Sequence, residues 1–182
     1  MPPSAYRALP PGGGGMSESP SADLELTEVN ETPWLSHQQQ EIWRSFLGGS
    51  TVLMDQLDRD LRREHGLSMS EYEILVRLSE APARSIRMAE LAALVAHSRS
   101  RITHTIARLE KAGIVERDQC STDGRGVTAT LTDHGFGVLA HAAHTHVRGV
   151  HTYLLGNSTP EEFAALGRIM ERISAQLGGR TF

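Results

Sequence analysis

The sequence predicts a mainly α-helical fold in which two short helices and a β-hairpin are framed by long helices at both ends. Three observations predict it. Apolar residues recur every three or four positions from about residue 36 to Gly66, and again from Thr132 to Leu177. Between these stretches lie two short amphipathic segments, separated by a turn of about four residues. At Gly113 the apolar period then drops to two, the signature of strands.

The chain has 182 residues, with 22 acidic against 18 basic, a formal charge of −4. That length suits one ordinary domain with or without a tail. The single cysteine, Cys120, excludes an intramolecular disulfide framework and a Cys-cluster zinc site. No apolar run approaches the roughly 18 residues needed to span a bilayer. The N-terminus carries no apolar export signal, so the expected location is the cytoplasm. The acid excess argues at face value against a nucleic-acid partner. It is unevenly placed, however. Residues 1–36 set Arg7 against Glu18, Asp23, Glu25, Glu28 and Glu31, a net of −4, and the remainder holds 17 basic and 17 acidic residues. Residues 1–33 combine this acid with Pro2, Pro3, Pro10, Pro11, Pro20 and Gly12 to Gly15, and are expected to form a disordered tail. Met16 offers an alternative start.

The first helix carries Ile42, Phe46, Gly49, Leu53, Leu57 and Leu61 on one stripe and ends near Gly66. Gly48 and Gly49 inside it are unfavourable by about 1 kcal/mol each relative to Ala, which points to a close helix contact or a kink. Ser68-Met69-Ser70-Glu71 reads as a capping box opening a short helix with Tyr72, Ile74, Leu75 and Leu78 inward. A third helix holds Met88, Leu91 and Leu94. Ser98 caps a fourth with Ile102, Ile106 and Leu109 as its seam, and Gly113 stops it. Strands follow at 114–117 and 127–131, joined by a polar loop. Thr132 caps a fifth helix with the stripe Phe136, Leu139, Ala143, Val147, Val150 and Leu154. Thr159-Pro160-Glu161-Glu162 opens a sixth, carrying Phe163, Leu166, Ile169, Ile173 and Leu177.

A helix-turn-helix followed directly by a hairpin is a winged helix-turn-helix. The run Glu90-Leu91-Ala92, the segment Ser98 to Gly113 ending Arg108-Leu109-Glu110-Lys111-Ala112-Gly113, and Ile114-Val115-Glu116-Arg117 resemble the MarR family of bacterial transcription regulators. So do Asp123-Gly124-Arg125, matching that family's D-x-R wing, and Leu131-Thr132 with Gly135, matching its L-T-x-x-G helix start. The resemblance covers about residues 37–178. It implies a homodimer on double-stranded DNA, joined by the first, fifth and sixth helices. The expected organisation is a tail (1–33), an N-terminal dimerisation helix (34–66), a DNA-binding winged domain (67–131) and C-terminal dimerisation helices (132–178). The residues alone point the same way, since the long helices carry more apolar surface than one small domain can cover.

Residues 84–125 hold eight basic against five acidic side chains, a local net of +3. The opening turns of the fourth helix present Ser98, Arg99, Ser100, Arg101, Thr103 and His104, the region that meets base edges when such a helix enters a major groove. Arg125, between Gly124 and Gly126, suits a minor groove, with Asp123 orienting it by resemblance. Arg108 joins this set of DNA contacts. Arg117 braces the wing or meets a phosphate. Resemblance further implies a cleft for a small aromatic effector, for which Trp34, Trp43, Arg44 and Tyr72 are the candidates. Some family members sense zinc through fifth-helix histidines, and here His141 and His144 could ligate if His37 or Glu41 joined them. Arg148 in the same row opposes a cation, and no cofactor is expected. Peroxide-sensing members carry a cysteine near the start of the first helix, where this chain has none. The expected function is a DNA-binding regulator, a repressor of a pseudo-palindromic operator, and not an enzyme, because no glycine-framed nucleophile or phosphate loop is present. The alternatives are a protein-binding winged-helix module and a zinc-responsive regulator.

Overall fold

The computed structural model describes residues 33–95, 99–119 and 126–178, with backbone alone at Arg99 and Gln119. Residues 1–32 of the expected tail, Ser98, Cys120, Asp123 and Arg125 lie outside the described residues. Helix α1 (His37–His65) begins at a capping box in which Ser36 and Gln39 exchange hydrogen bonds, and ends at Gly66, whose φ of 66° is left-handed. It runs unbroken through Gly48 and Gly49. A Cβ at either glycine would meet nothing within 4 Å, so neither marks a close contact among the described residues.

Helix α2 (Met69–Glu80) opens on the Ser68/Glu71 capping box. A 3₁₀ turn at Pro82–Arg84 then places Ala83 and Arg84 at φ 52° and 54°, left-handed values that non-glycine residues seldom adopt. It delivers the chain to a strand the sequence did not announce, β1 (Ser85–Arg87). Helices α3 (Met88–Leu94) and α4 (Arg99–Lys111) follow, then β2 (Val115–Gln119), β3 (Val127–Leu131), α5 (Asp133–Tyr153) and α6 (Pro160–Gln176). The expected two-stranded hairpin is therefore a three-stranded antiparallel sheet, order β1-β3-β2, with Ile86 and Arg117 flanking the buried Ala129. Three residues with one apolar side chain are too short to show a period of two. β1 forms because β3 offers it an open edge, and Ser85 and Thr130 link their hydroxyls at 2.9 Å.

The core is the winged lobe: Leu61, Ile74, Leu75, Leu78, Leu91, Ile102, Ile106, Leu109, Val115 and Ala129 are all sealed. The inward face of α5 differs from expectation. Its buried residues are Gly135, Leu139, Ala142, Thr145 and Gly149, while Val147 is 51% exposed and Phe136 lies outward. Small residues decide this, because they let α1 approach: a Cβ on Gly149 would sit 2.6 Å from Leu57 Cδ2. Helix α6 buries no residue fully. Its Phe163, Ile169, Ile173 and Leu177 remain exposed, as do Ile42, Trp43, Phe46 and Leu47 on the N-terminal half of α1. Among the described residues no helix is long and apolar enough to cross a membrane.

Candidate nucleic-acid interface

Helix α4 sorts its residues sharply. Ile102, Ile106 and Leu109 are buried in the lobe, and Ser100, Arg101, Thr103 and His104 are exposed on the opposite arc. At 100° per residue the two sets cannot share a face, so burying the seam presents the polar side chains together. Four of the sequence candidates are thus assembled on one surface by apolar packing. Ser98, Asp123, Arg125 and the Arg99 side chain lie outside the described residues.

Toward its C-terminus α4 is tied on two sides. Arg108, expected to contact DNA, directs its Nε and Nη2 to the Glu71 carboxylate on α2 while its side chain stays partly exposed. Glu71 is 5% exposed and also accepts hydrogen bonds from the Ser68 N–H (2.8 Å) and hydroxyl (2.7 Å). Burial pushes the Glu71 carboxyl up, but the hydrogen bonds from Arg108 and Ser68 outweigh it and hold the group below the ordinary carboxylate range. Arg117 on β2 bonds Glu110 on α4, with Nε 2.9 Å from Oε2. The hydrogen bond from Arg117 lowers the Glu110 carboxyl and raises the guanidinium in turn. Of the two roles expected for Arg117, bracing the wing is the one this geometry displays. The pairings of Glu71 with Arg108 and of Glu110 with Arg117 were missed by sequence reasoning. No spacing rule joins residues 37 or 7 positions apart in different elements.

The L-T-x-x-G pattern finds its physical meaning at the base of the wing. Thr132 Oγ1 accepts from the Gly135 N–H at 2.9 Å and donates to Gly113 O at 2.8 Å, locking α5 against the turn that follows α4. A Cβ on Gly135 would stand 2.1 Å from Ile114 O, so only glycine fits. Arg84 crosses the start of α5, 4.0 Å over the Phe136 ring and 3.0 Å from Asp133 Oδ1.

The effector candidates are not brought together within one chain. Tyr72 is buried in the lobe with its ring 4.8 Å from that of His146, whereas Trp34 precedes α1 and Trp43 and Arg44 lie on its exposed N-terminal half. Trp43 stacks on Phe46 at 5.7 Å instead. His141 and His144 are exposed on α5, His37 pairs with Glu41 at 3.1 Å, and the described residues contain no group of metal-ligating side chains able to hold an ion. Where α1 meets α5, Thr145 donates to Glu64 at 2.7 Å and therefore accepts from His65 Nε2 at 2.8 Å. Hydrogen bonds from Thr145, Arg148 and Arg63 lower the Glu64 carboxyl to about 2.

Residues 67–127 match the model of the MarR family. PecS, an HTH-type transcriptional regulator of Dickeya dadantii, is 28% identical over 159 residues, covering 82% of this chain and 95% of its own. An HTH-type transcriptional repressor of Mycobacterium bovis is 31% identical over 110 residues, 60% of this chain and 77% of its own. Among solved structures, a MarR family transcriptional regulator from Streptomyces coelicolor, crystallised in complex with DNA, aligns at 42% identity with a TM-score of 0.75, over 80% of this chain and 92% of that one. The chain belongs to the MarR family of transcriptional regulators. AbsC, a MarR family regulator from the same organism, aligns at 37% identity with a TM-score of 0.74, covering 82% of this chain and all of its own. The family-model match spans the winged lobe from Leu67 to the first residue of β3. The structural matches extend the MarR likeness across most of the described chain, terminal helices included. As a MarR family member the chain is a regulator of transcription and not an enzyme.

Proposed function

We propose that this MarR family regulator represses transcription in the cytoplasm by binding a pseudo-palindromic duplex as a homodimer, with one α4 in each of two successive major grooves. The observation that carries the reading is the outward set Ser100, Arg101, Thr103 and His104, presented on a helix whose other face is the lobe core. Arg101 is the candidate for bidentate reading of guanine, with the two hydroxyls and the imidazole beside it. Ser98 and Arg99 extend the same turn, and Arg125, oriented by Asp123, is assigned to the minor groove flank. The apolar faces that α1 and α6 leave exposed among the described residues support a second copy. The DNA complex of the Streptomyces coelicolor relative and the repressor name of the mycobacterial one support the same reading. Release by a small aromatic ligand would require the second copy, since Tyr72 lies apart from Trp34, Trp43 and Arg44 within one chain.

An electrophoretic mobility shift on DNA upstream of the chain's own gene, at graded salt, tests this. The expected result is a discrete complex whose affinity falls steeply as salt rises. Absence of a complex at low salt would favour a protein-binding module.

A further inference from the structure

We propose that Glu110 and Glu71, two acidic residues on or beside the helix that faces DNA, are positioning residues for sequence reading: through Arg117 and Arg108 they clamp the last turns of α4 between the wing and the lobe. The proposal rests on α4 being the reading helix and concerns what aims it.

An acidic side chain on such a helix opposes the phosphate backbone. Glu110 is only partly exposed, and its carboxylate is turned onto Arg117 of β2. Two positions earlier, Arg108 reaches the other way to α2 and meets a carboxylate sealed from water. The partners fit electrostatically. Glu71 lies in the first turn of α2 and Arg108 in the last turn of α4, so each charge complements its own helix dipole. Together the pairs hold one end of the helix from two directions, while Arg101 and its neighbours sit at the other. Seven residues separate Arg101 from Arg108, about 10 Å of helix, so a tilt of about 10° pivoting at the clamp moves the Arg101 end by nearly 2 Å. That exceeds the tolerance of a bidentate base contact. Because Arg117 stands on a wing strand, the same pair also fixes the wing relative to α4, so both reading elements depend on Glu110.

The test uses the full chain, the duplex it enriches most from a random library, and a scrambled duplex of the same composition. Glu110→Gln removes a negative charge, so ordinary electrostatics predicts tighter binding to both. The clamp predicts instead a loss of about tenfold on the selected duplex, within the coupling usual for contacting residues, and equal or tighter binding to the scrambled one. The thermal midpoint of Glu110→Gln should stay within a few degrees, since a partly exposed pair adds little stability. The Glu110→Arg/Arg117→Glu double variant should recover most of the affinity lost by Arg117→Glu alone. Arg108→Gln should weaken the selected complex without changing its salt slope. Tighter binding of Glu110→Gln to the selected duplex, or no recovery in the double variant, overturns the proposal and makes Arg117 a direct phosphate contact. A salt slope lowered by about one in Arg108→Gln does the same for Arg108. If the wild-type chain enriches no duplex, the regulator reading itself fails, and this one with it.

Discussion

The winged lobe and the terminal helices draw on the same apolar side chains and leave them in opposite environments. In the lobe Leu75 is fully buried, with Ile106 and Leu109 beside it. On the terminal helices Ile42 is 62% exposed and Ile173 44%. The helical stripes are equally regular in both regions, so pattern alone does not distinguish a helix that completes its own domain from one that awaits a partner. The difference lies in what packs opposite: the elements of the lobe enclose one core, while among the described residues most of the apolar stripe of α6 and of the first half of α1 stays exposed.

Substitutions that separate the two regions rank by their effect on the lobe. Leu75→Ala should destabilise it by about 2–5 kcal/mol in chemical denaturation, because a sealed site leaves a cavity. Gly135→Ala should follow, at about 1–3 kcal/mol, since its Cβ strikes the Ile114 carbonyl, which is backbone and cannot rotate away. Gly149→Ala should be milder in the same assay, because the atom it meets is a Leu57 methyl. A smaller effect is expected at His146, which is partly buried against Tyr72 with its Nδ1 unbonded. Burial lowers its pKa below the ordinary 6.5, so the unfolded chain binds the proton more readily. Stability is then full above pH 6.5 and falls as pH drops below it. His146→Phe should flatten the thermal midpoint against pH from 7.5 to 5.5, and an unchanged slope would remove the assignment. Ile173→Asp should leave the lobe's stability within about 0.5 kcal/mol, yet halve the mass seen by light scattering. Unchanged mass would break the comparison.

Much of this organisation was legible in the sequence, for identifiable reasons. The capping residues Ser68, Thr132 and Thr159 make local hydrogen bonds, so spacing alone reveals them. Gly113 signals its left-handed turn in the same way. The exposed arc of α4 follows from the periodicity of its seam. What escaped was non-local. β1 exists only because β3 has a free edge, and the Glu71 partner of Arg108 comes from another helix. The inner face of α5 was misjudged for a related reason. Large apolar residues drew the stripe toward Phe136 and Val147, whereas close packing against α1 selected Gly149, Thr145 and Ala142.

The central claim is that the uncovered terminal helices join two copies so that two α4 helices read one duplex. Footprinting of the selected duplex, combined with the mass of the complex, tests it most directly. The account predicts two chains per duplex and two related half-sites with centres about 34–36 Å apart, one turn of B-form DNA. One chain protecting a single half-site would contradict it.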